Sequence, residues 1–283
     1  MPATTPDLKS IELTGPTAEF IGMRIAYREA GHANAITIVC LHGIGSNSSG
    51  YAAQLSGLSD AFRVVSWDAP GYGASDPLPW TEPRPESYAD ALAGFAAALR
   101  IKRMVLVGSS FGAVIAAAFG VRYPDRVFGL VLSAPAAGFA RADPSERTAI
   151  LAKRIGDMQR LGPAGVARER ASALVAPGSS QPVLDAAAAL VASVHPDGYF
   201  QAAHALDMAD TVAAAAQILA PVLVVVGEKD IVTPLQICAR PIHQELRNGK
   251  LKVLDGIGHL VKLEAPGIFN DITRDFVGSL PLR

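Results

Sequence analysis

Cysteine is scarce in this sequence, with two residues, Cys40 and Cys238, in a chain of 283. This count excludes a disulfide-stabilised scaffold, and a chain of this length buries enough apolar surface to fold without one. Neither cysteine has basic neighbours in the sequence that would activate a thiol. Both are therefore expected in the protein core rather than in a reactive site.

An excess of positive charge is also missing, since 25 Lys and Arg oppose 26 Asp and Glu. This balance argues against a nucleic-acid partner. The most apolar stretch, residues 211–226, is interrupted by Gln217 and Pro221, so no segment is long and apolar enough for a membrane partner. The first residues show neither the basic nor the apolar part of a signal peptide. We therefore expect a cytoplasmic protein that acts on a small, weakly charged molecule.

Short apolar runs alternate with longer helical patterns along most of the chain, which predicts an α/β fold with a sheet covered by helices. The predicted strands are residues 24–27, 35–41, 62–67, 104–107, 127–133, 221–226 and 250–254. The predicted helices are residues 88–99, 113–123, 235–246 and 268–277.

The alternation stops between about Pro135 and Ala220. This stretch is rich in alanine, contains five prolines that would separate helices, and has no strand-like run. It is too long for a structureless connection within a compact domain. We therefore predict a core made of residues 1–134 and 221–283, with a helical insertion at residues 135–220.

The strongest local motif is Gly-Ser-Ser-Phe-Gly at residues 108–112, between a predicted strand and a predicted helix. A Gly-x-Ser-x-Gly turn of this kind presents a serine nucleophile on a strained backbone, where larger flanking residues would collide. Only Ser110 has glycine two residues before and two after it, whereas Ser109 would be flanked by Val107 and Phe111. Ser110 is therefore the candidate nucleophile.

A serine hydroxyl needs a base and an acid that orients the base. Of the six histidines, His259 is the best placed, in a glycine-rich loop after the last predicted strand. Asp230 follows the strand at residues 221–226, and we prefer it to Glu228 and Asp255 as the acid. The order Ser110, Asp230, His259 is the nucleophile–acid–base order described for α/β-hydrolases.

The loop at His42, Gly43, Ile44 and Gly45 follows another buried strand. Acyl transfer needs backbone amides that face the developing oxyanion, and we assign this role to the amides of Ile44 and Phe111. His42 is interpreted mainly as a brace for this loop rather than as a second base.

These motifs together resemble the α/β-hydrolase superfamily across nearly the whole chain outside the insertion. The segments that carry the resemblance are 42–45, 67–75, 108–112, 227–230 and 258–259. The resemblance implies a mostly parallel eight-stranded sheet, a helical cap at the position of the insertion and a substrate pocket between them. It also implies that Asp68 belongs to a structural turn. Serine at position 110 argues against the dehalogenase and epoxide hydrolase branches, which use aspartate there.

Within the superfamily, the chain is similar to 3-oxoadipate enol-lactonases and small carboxylesterases, and also to hydrolases that cleave C–C bonds in meta-cleavage products. The second group typically has asparagine where this chain has Ser109, and tryptophan shortly after the catalytic histidine, where it has Leu260, Val261, Lys262 and Leu263. Arg168 and Arg170 are candidates for binding a substrate carboxylate, although exposed helix positions are the simpler interpretation. The candidate pocket residues are His42, Gly43, Ser109, Phe139, Phe200, Val232 and Leu260, with Tyr199 as a further possibility.

We therefore predict a serine hydrolase that needs no cofactor or metal and cleaves a small ester or lactone, as a monomer or a homodimer. C–C hydrolysis of a vinylogous diketone by the same residues is the alternative. A ligand receptor with a vestigial hydrolase site and an acyltransferase also remain open.

Overall fold

The computed structural model describes residues 5–13 and 18–281, whose central feature is an eight-stranded sheet with the order β1-β2-β4-β3-β5-β6-β7-β8. The strands are β1 (Lys9–Glu12), β2 (Arg24–Ala30), β3 (Thr37–Leu41), β4 (Arg63–Trp67), β5 (Met104–Ser109), β6 (Val127–Ser133), β7 (Val222–Gly227) and β8 (Gly249–Leu254). From β4 to β8 all neighbours run parallel, whereas β2 is antiparallel to both β1 and β4. The prediction of a mostly parallel sheet is confirmed.

The central strands are buried on both faces, as their continuous apolar sequences predict. Every residue of β3, β5 and β7 is buried. In contrast, β1 is short and its residues are exposed or half-buried. The absence of an apolar run explains why the sequence pattern did not reveal this strand.

The helices cover both faces of the sheet. They are α1 (Ala52–Gly57), α2 (Pro85–Ala98), α3 (Phe111–Arg122), α4 (Pro144–Arg170), α5 (Gln181–Ala192), α6 (Pro196–Met208), α7 (Thr211–Ala215), α8 (Ala239–Glu245), α9 (Val261–Glu264) and α10 (Pro266–Gly278). None of the helices that the structure describes is long and apolar enough to cross a membrane. The predicted helix at residues 235–246 begins later, because the residues after Pro234 form hydrogen-bonded turns before α8.

The segment between β6 and β7 lies wholly within the described residues and contains α4 to α7. Helix α4 is broken at Gly162, whose φ of 63° leaves the helical region, and Pro163 begins its second half. Gly71 and Gly198 bring this segment into direct contact with the core, since a Cβ added at Gly71 would lie 2.6 Å from the Gly198 Cα. The helical segment between β6 and β7 therefore packs closely against the loop that follows β4.

Parallel pairing brings the carboxyl ends of the central strands to one edge of the sheet. Leu41 at the end of β3 pairs with Gly108, and Ser109 at the end of β5 pairs with Ser133. Gly227 at the end of β7 pairs with Leu254. The loops that follow these strands therefore share this edge, which is where open α/β sheets bind their ligands.

Candidate active site

Ser110 occupies a sharp turn between β5 and α3, with φ 55° and ψ −113°. This backbone conformation is rare for a residue with a side chain and stores strain of about 1–3 kcal/mol. A Cβ at Gly108 would lie 2.3 Å from the carbonyl oxygen of Gly112, and a Cβ at Gly112 would lie 2.0 Å from that of Leu41. The two glycines are thus required because backbone segments meet here, which is a more specific reason than collision with the serine.

His259 and Asp230 form a buried hydrogen-bonded pair. His259 Nδ1 lies 2.9 Å from Asp230 Oδ2, and the side chains are 4% and 0% exposed. Burial alone would raise the pKa of Asp230, but hydrogen bonds from His259 and Thr233 outweigh it and hold that pKa below its usual value. The carboxylate is therefore ionised at neutral pH, and it orients the imidazole so that Nδ1 carries the proton and Nε2 is free to accept one.

Ser110 and His259 line the same cavity, of about 360 Å³. All six histidines lie within the described residues, and His259 alone lines this cavity. The two alternative candidates for the orienting acid do not line this cavity. Glu228 accepts a hydrogen bond from the Gly256 amide, and Asp255 is exposed. The geometry therefore brings together the three residues that the sequence selected.

The loop after β3 runs beside the serine. A Cβ added at Gly43 would lie 3.2 Å from Ser110 Cβ and 3.7 Å from Ser110 Oγ. Among the described residues, the Ile44 and Phe111 amides have no hydrogen-bond acceptor. Of these two residues, Ile44 also lines the cavity, and Phe111 directly follows Ser110 at the start of α3.

The chain matches the family model for the alpha/beta hydrolase fold over residues 36–266. It belongs to the α/β-hydrolase fold family. One curated relative, the 2-hydroxy-6-oxononadienedioate/2-hydroxy-6-oxononatrienedioate hydrolase 2 of Pseudomonas putida, is 29% identical over 91% of this chain and 92% of that protein.

Two solved structures are similar to this one over most of their length. A thermophilic esterase from Thermogutta terrifontis superposes with a TM-score of 0.84 at 25% identity, covering 96% of this chain and 98% of that one. The enol-lactonase from Burkholderia xenovorans LB400 gives a TM-score of 0.81 at 24% identity, covering 91% and 98%. The structural similarity confirms the predicted fold, and the family match together with the Pseudomonas putida relative identifies the chain as an α/β-hydrolase enzyme.

Two predicted pocket residues of this hydrolase lie outside the cavity, and those predictions are wrong. His42 is held behind the loop, where its Nε2 accepts a hydrogen bond from the Ala69 amide and its Nδ1 lies 2.9 Å from the Gly43 carbonyl oxygen. Phe200 packs half-buried against the core, while the preceding residue, Tyr199, lines the cavity. Consecutive residues on a helix point about 100° apart, which explains why Tyr199 faces the cavity and Phe200 does not.

Burial lowers the pKa of His42 to about 4, so its imidazole is neutral at physiological pH. A neutral ring can accept at Nε2 while donating from Nδ1, and the two contacts of His42 require that combination. His42 thus links the Ala69 turn to the loop that holds the Ile44 amide, consistent with its interpretation as a brace.

The other predicted pocket residues do line the cavity: Gly43, Ser109, Phe139, Val232 and Leu260. Of the two candidate arginines in α4, Arg170 lines the cavity whereas Arg168 is exposed. Asp68 has a structural role, because its Oδ1 accepts a hydrogen bond from the amide of Ser48. Arg154, Thr233 and Lys262 are among the cavity residues that the sequence analysis did not identify.

Thr233 contacts both Asp230 and His259. Its Oγ1 lies 2.7 Å from Asp230 Oδ2, 3.1 Å from His259 Nδ1 and 3.0 Å from the Ala134 carbonyl oxygen. Its amide also donates to Asp230 Oδ1. A Thr three residues after an Asp is a common turn pattern, and this was the only signal in the sequence that could have revealed it.

Replacing Thr233 by valine is expected to lower kcat for an activated ester about tenfold to hundredfold, because the ionised Asp230 loses a hydrogen bond to a charged group, worth about 1.5–3 kcal/mol. Steady-state kinetics with p-nitrophenyl acetate would measure the change. Replacement by serine, which keeps the hydroxyl, should recover most of the activity. Equal losses in the valine and serine variants would show that the hydroxyl is not what matters.

Proposed function

We propose that this protein is a serine hydrolase that cleaves a small ester or lactone through an acyl-enzyme, with Ser110 as nucleophile, His259 as base and Asp230 as the orienting acid. The observation that carries the proposal is the buried His259–Asp230 hydrogen bond of 2.9 Å on the wall of the cavity that also contains Ser110.

In the first step, Ser110 Oγ attacks the carbonyl carbon while its proton passes to His259 Nε2. The amides of Ile44 and Phe111 stabilise the resulting oxyanion, and each such donor contributes about 3 kcal/mol to the transition state. His259 then gives the proton to the departing alkoxide, which remains part of the same molecule when the substrate is a lactone. A water molecule activated by His259 releases the acid from Ser110.

We also propose that the helical insertion acts as a cap. Phe139, Arg154 and Leu206, from the segment between β6 and β7, line the same cavity as Ser110. A cap that closes over the substrate would exclude bulk water, which strengthens the electrostatic interactions within the site.

Labelling with a fluorophosphonate probe tests the proposed nucleophile. We expect stoichiometric modification at Ser110, located by mass spectrometry of the peptide that contains it. Ser109 is a built-in control, because it neighbours Ser110 but lacks the turn geometry. Modification of Ser109, of a distant serine, or of the Ser110→Ala variant would overturn the assignment.

The second candidate is hydrolysis of a C–C bond, which the names of the curated relatives favour. Here the oxygen of a water molecule would end on the ketone carbon, which becomes the acid. The electron pair of the broken C–C bond would leave with the neighbouring carbon, which takes up a proton to give the dienol. Loss of the dienolate absorbance of 2-hydroxy-6-oxo-6-phenylhexa-2,4-dienoate, the compound in the name of the Comamonas testosteroni relative, would detect it. A kcat/KM for this compound far above that for aryl esters would establish C–C hydrolysis as the main activity.

A further inference from the structure

Lys262 is a buried lysine beside the nucleophile. It lies in α9, lines the cavity and is 2% exposed. Its ammonium group lies 3.3 Å from Ser109 Oγ and 4.8 Å from the centre of the Tyr51 ring. Among the residues that the structure describes, no carboxylate lies within ion-pair distance of it.

An ammonium group buried without an anion is costly, so lysine at this position needs an explanation. Burial lowers the pKa of Lys262 to about 8, which leaves it mostly charged at pH 7. The nearby titratable groups do not neutralise it. Burial raises the pKa of the Cys40 and Tyr51 side chains and lowers that of His42, so all three are uncharged. A methionine would fill similar space without this cost.

The charges around the cavity point to an anionic ligand. Three cationic side chains line it, Arg154, Arg170 and Lys262, and no Asp or Glu does so. Arg170 is 3.1 Å from Asp157, which lies outside the lining, and Arg154 stacks 6.0 Å from the Phe139 ring. Among the described residues, neither Arg154 nor Lys262 forms an ion pair, but Arg154 is only half-buried whereas Lys262 is fully buried. Lys262 also contacts Ser109, the residue that precedes the nucleophile.

We propose that Lys262 Nζ and Ser109 Oγ form a subsite that binds a carboxylate of the substrate close to the scissile carbonyl. The ammonium donates to the carboxylate, and the Ser109 hydroxyl can donate a second hydrogen bond. This inference rests on the proposed function and narrows its substrate class to esters, lactones or ketones that carry a carboxylate.

Matched substrates test the subsite. In the first pair, mono-p-nitrophenyl adipate carries a carboxylate on its acyl chain and p-nitrophenyl hexanoate does not. In the second pair, 4-acetoxybenzoate carries a carboxylate on its leaving group and phenyl acetate does not. We expect wild type to prefer the acid in at least one pair by about tenfold or more in kcat/KM, as hydrogen bonds to a charged group predict. Lys262→Met should remove that preference, and Ser109→Ala should reduce it. Arg168→Met, which removes an exposed cap charge, should leave the ratio unchanged.

Binding provides a readout that does not depend on turnover. Calorimetry with glutarate should show binding to Ser110→Ala and at least tenfold weaker binding to Ser110→Ala/Lys262→Met. If wild type hydrolyses none of the four esters, the proposed ester hydrolysis fails, and the glutarate comparison still decides the subsite. An unchanged acid preference in folded Lys262→Met, or equal glutarate affinity in the two variants, would overturn the subsite. Folding of each variant is checked by its thermal transition, and if Lys262→Met does not fold, Ser109→Ala and Lys262→Gln take its place.

Discussion

Replacing Ser110 by alanine is expected to lower kcat/KM for p-nitrophenyl acetate by at least about 10⁴-fold, because the acyl-enzyme route loses its nucleophile. Residual hydrolysis would come from water oriented by His259 and from the two free amides of Ile44 and Phe111. A spectrophotometric assay at neutral pH measures the loss. The variant should keep the thermal transition of wild type, since the replaced hydroxyl makes no hydrogen bond within the described residues. Activity within tenfold of wild type would contradict Ser110 as the nucleophile.

A glycine variant at position 110 distinguishes the catalytic role of the serine hydroxyl from the backbone strain of the turn. Ser110→Gly should be as inactive as Ser110→Ala. Glycine accepts a φ of 55° without the steric cost that a Cβ brings. Allowing for the greater freedom of glycine in the unfolded chain, we expect Ser110→Gly to be more stable than Ser110→Ala by about 1 kcal/mol. Chemical denaturation of the two variants measures the difference, and equal stabilities would show that the turn is not strained.

Replacing Asp230 by asparagine is expected to lower kcat about 10³-fold to 10⁴-fold. The amide group of asparagine can donate to Nδ1 of His259, which would leave the proton on Nε2 and prevent that atom from accepting the serine proton. The negative charge that stabilises the protonated imidazole would also be lost. Steady-state kinetics with p-nitrophenyl acetate measures the change. Glu228→Gln is the matched control, because Glu228 is exposed and bonded to a loop amide, and it should keep activity within twofold. A similar loss in both variants would contradict the assignment of the acid.

The Asp230→Asn substitution should also change how the free energy of unfolding depends on pH. The pKa of Asp230 is held below its ordinary value in the folded state, so its ionised form stabilises the fold at pH values above the pKa of an unfolded aspartate, about 4. This contribution is lost as the pH falls through the lower folded-state pKa. The difference in unfolding free energy between wild type and Asp230→Asn should therefore be full at pH 6–7 and shrink below about pH 4. Urea denaturation across this range would reveal it, and a constant difference would show that ionisation of Asp230 does not contribute.

The sequence patterns predicted the parts of this structure that depend on local chemistry. The central strands were visible because strands buried on both faces need continuous apolar runs, and Ser110 was visible because its turn needs glycine at 108 and 112. The loops carrying Asp230 and His259 followed from their positions after predicted strands. These features depend on spacing along the chain, which a single sequence displays.

The missed features depend on contacts between distant residues. Lys262 resembles a surface lysine on a short helix, and only packing against Tyr51 and Ser109 shows that it is buried. The apolar residues on either side of it were the one available hint. Phe200 and Tyr199 are neighbouring aromatic residues, so residue type alone could not determine which one faces the cavity. The rotation of a helix about its axis is decided by tertiary packing.

The loop that bears His259 is attached to the helical insertion by its backbone. The Leu260 amide donates to the Leu174 carbonyl oxygen at 3.0 Å, and Glu264 accepts hydrogen bonds from the amides of both Gly258 and Ala176. Chimeras that graft a foreign cap onto this core at residues 135 and 220 would therefore replace Leu174 and Ala176 and leave the histidine loop without its partners. We expect chimeras that retain residues 174–176 of this protein together with the His259 loop to keep His259 in its position.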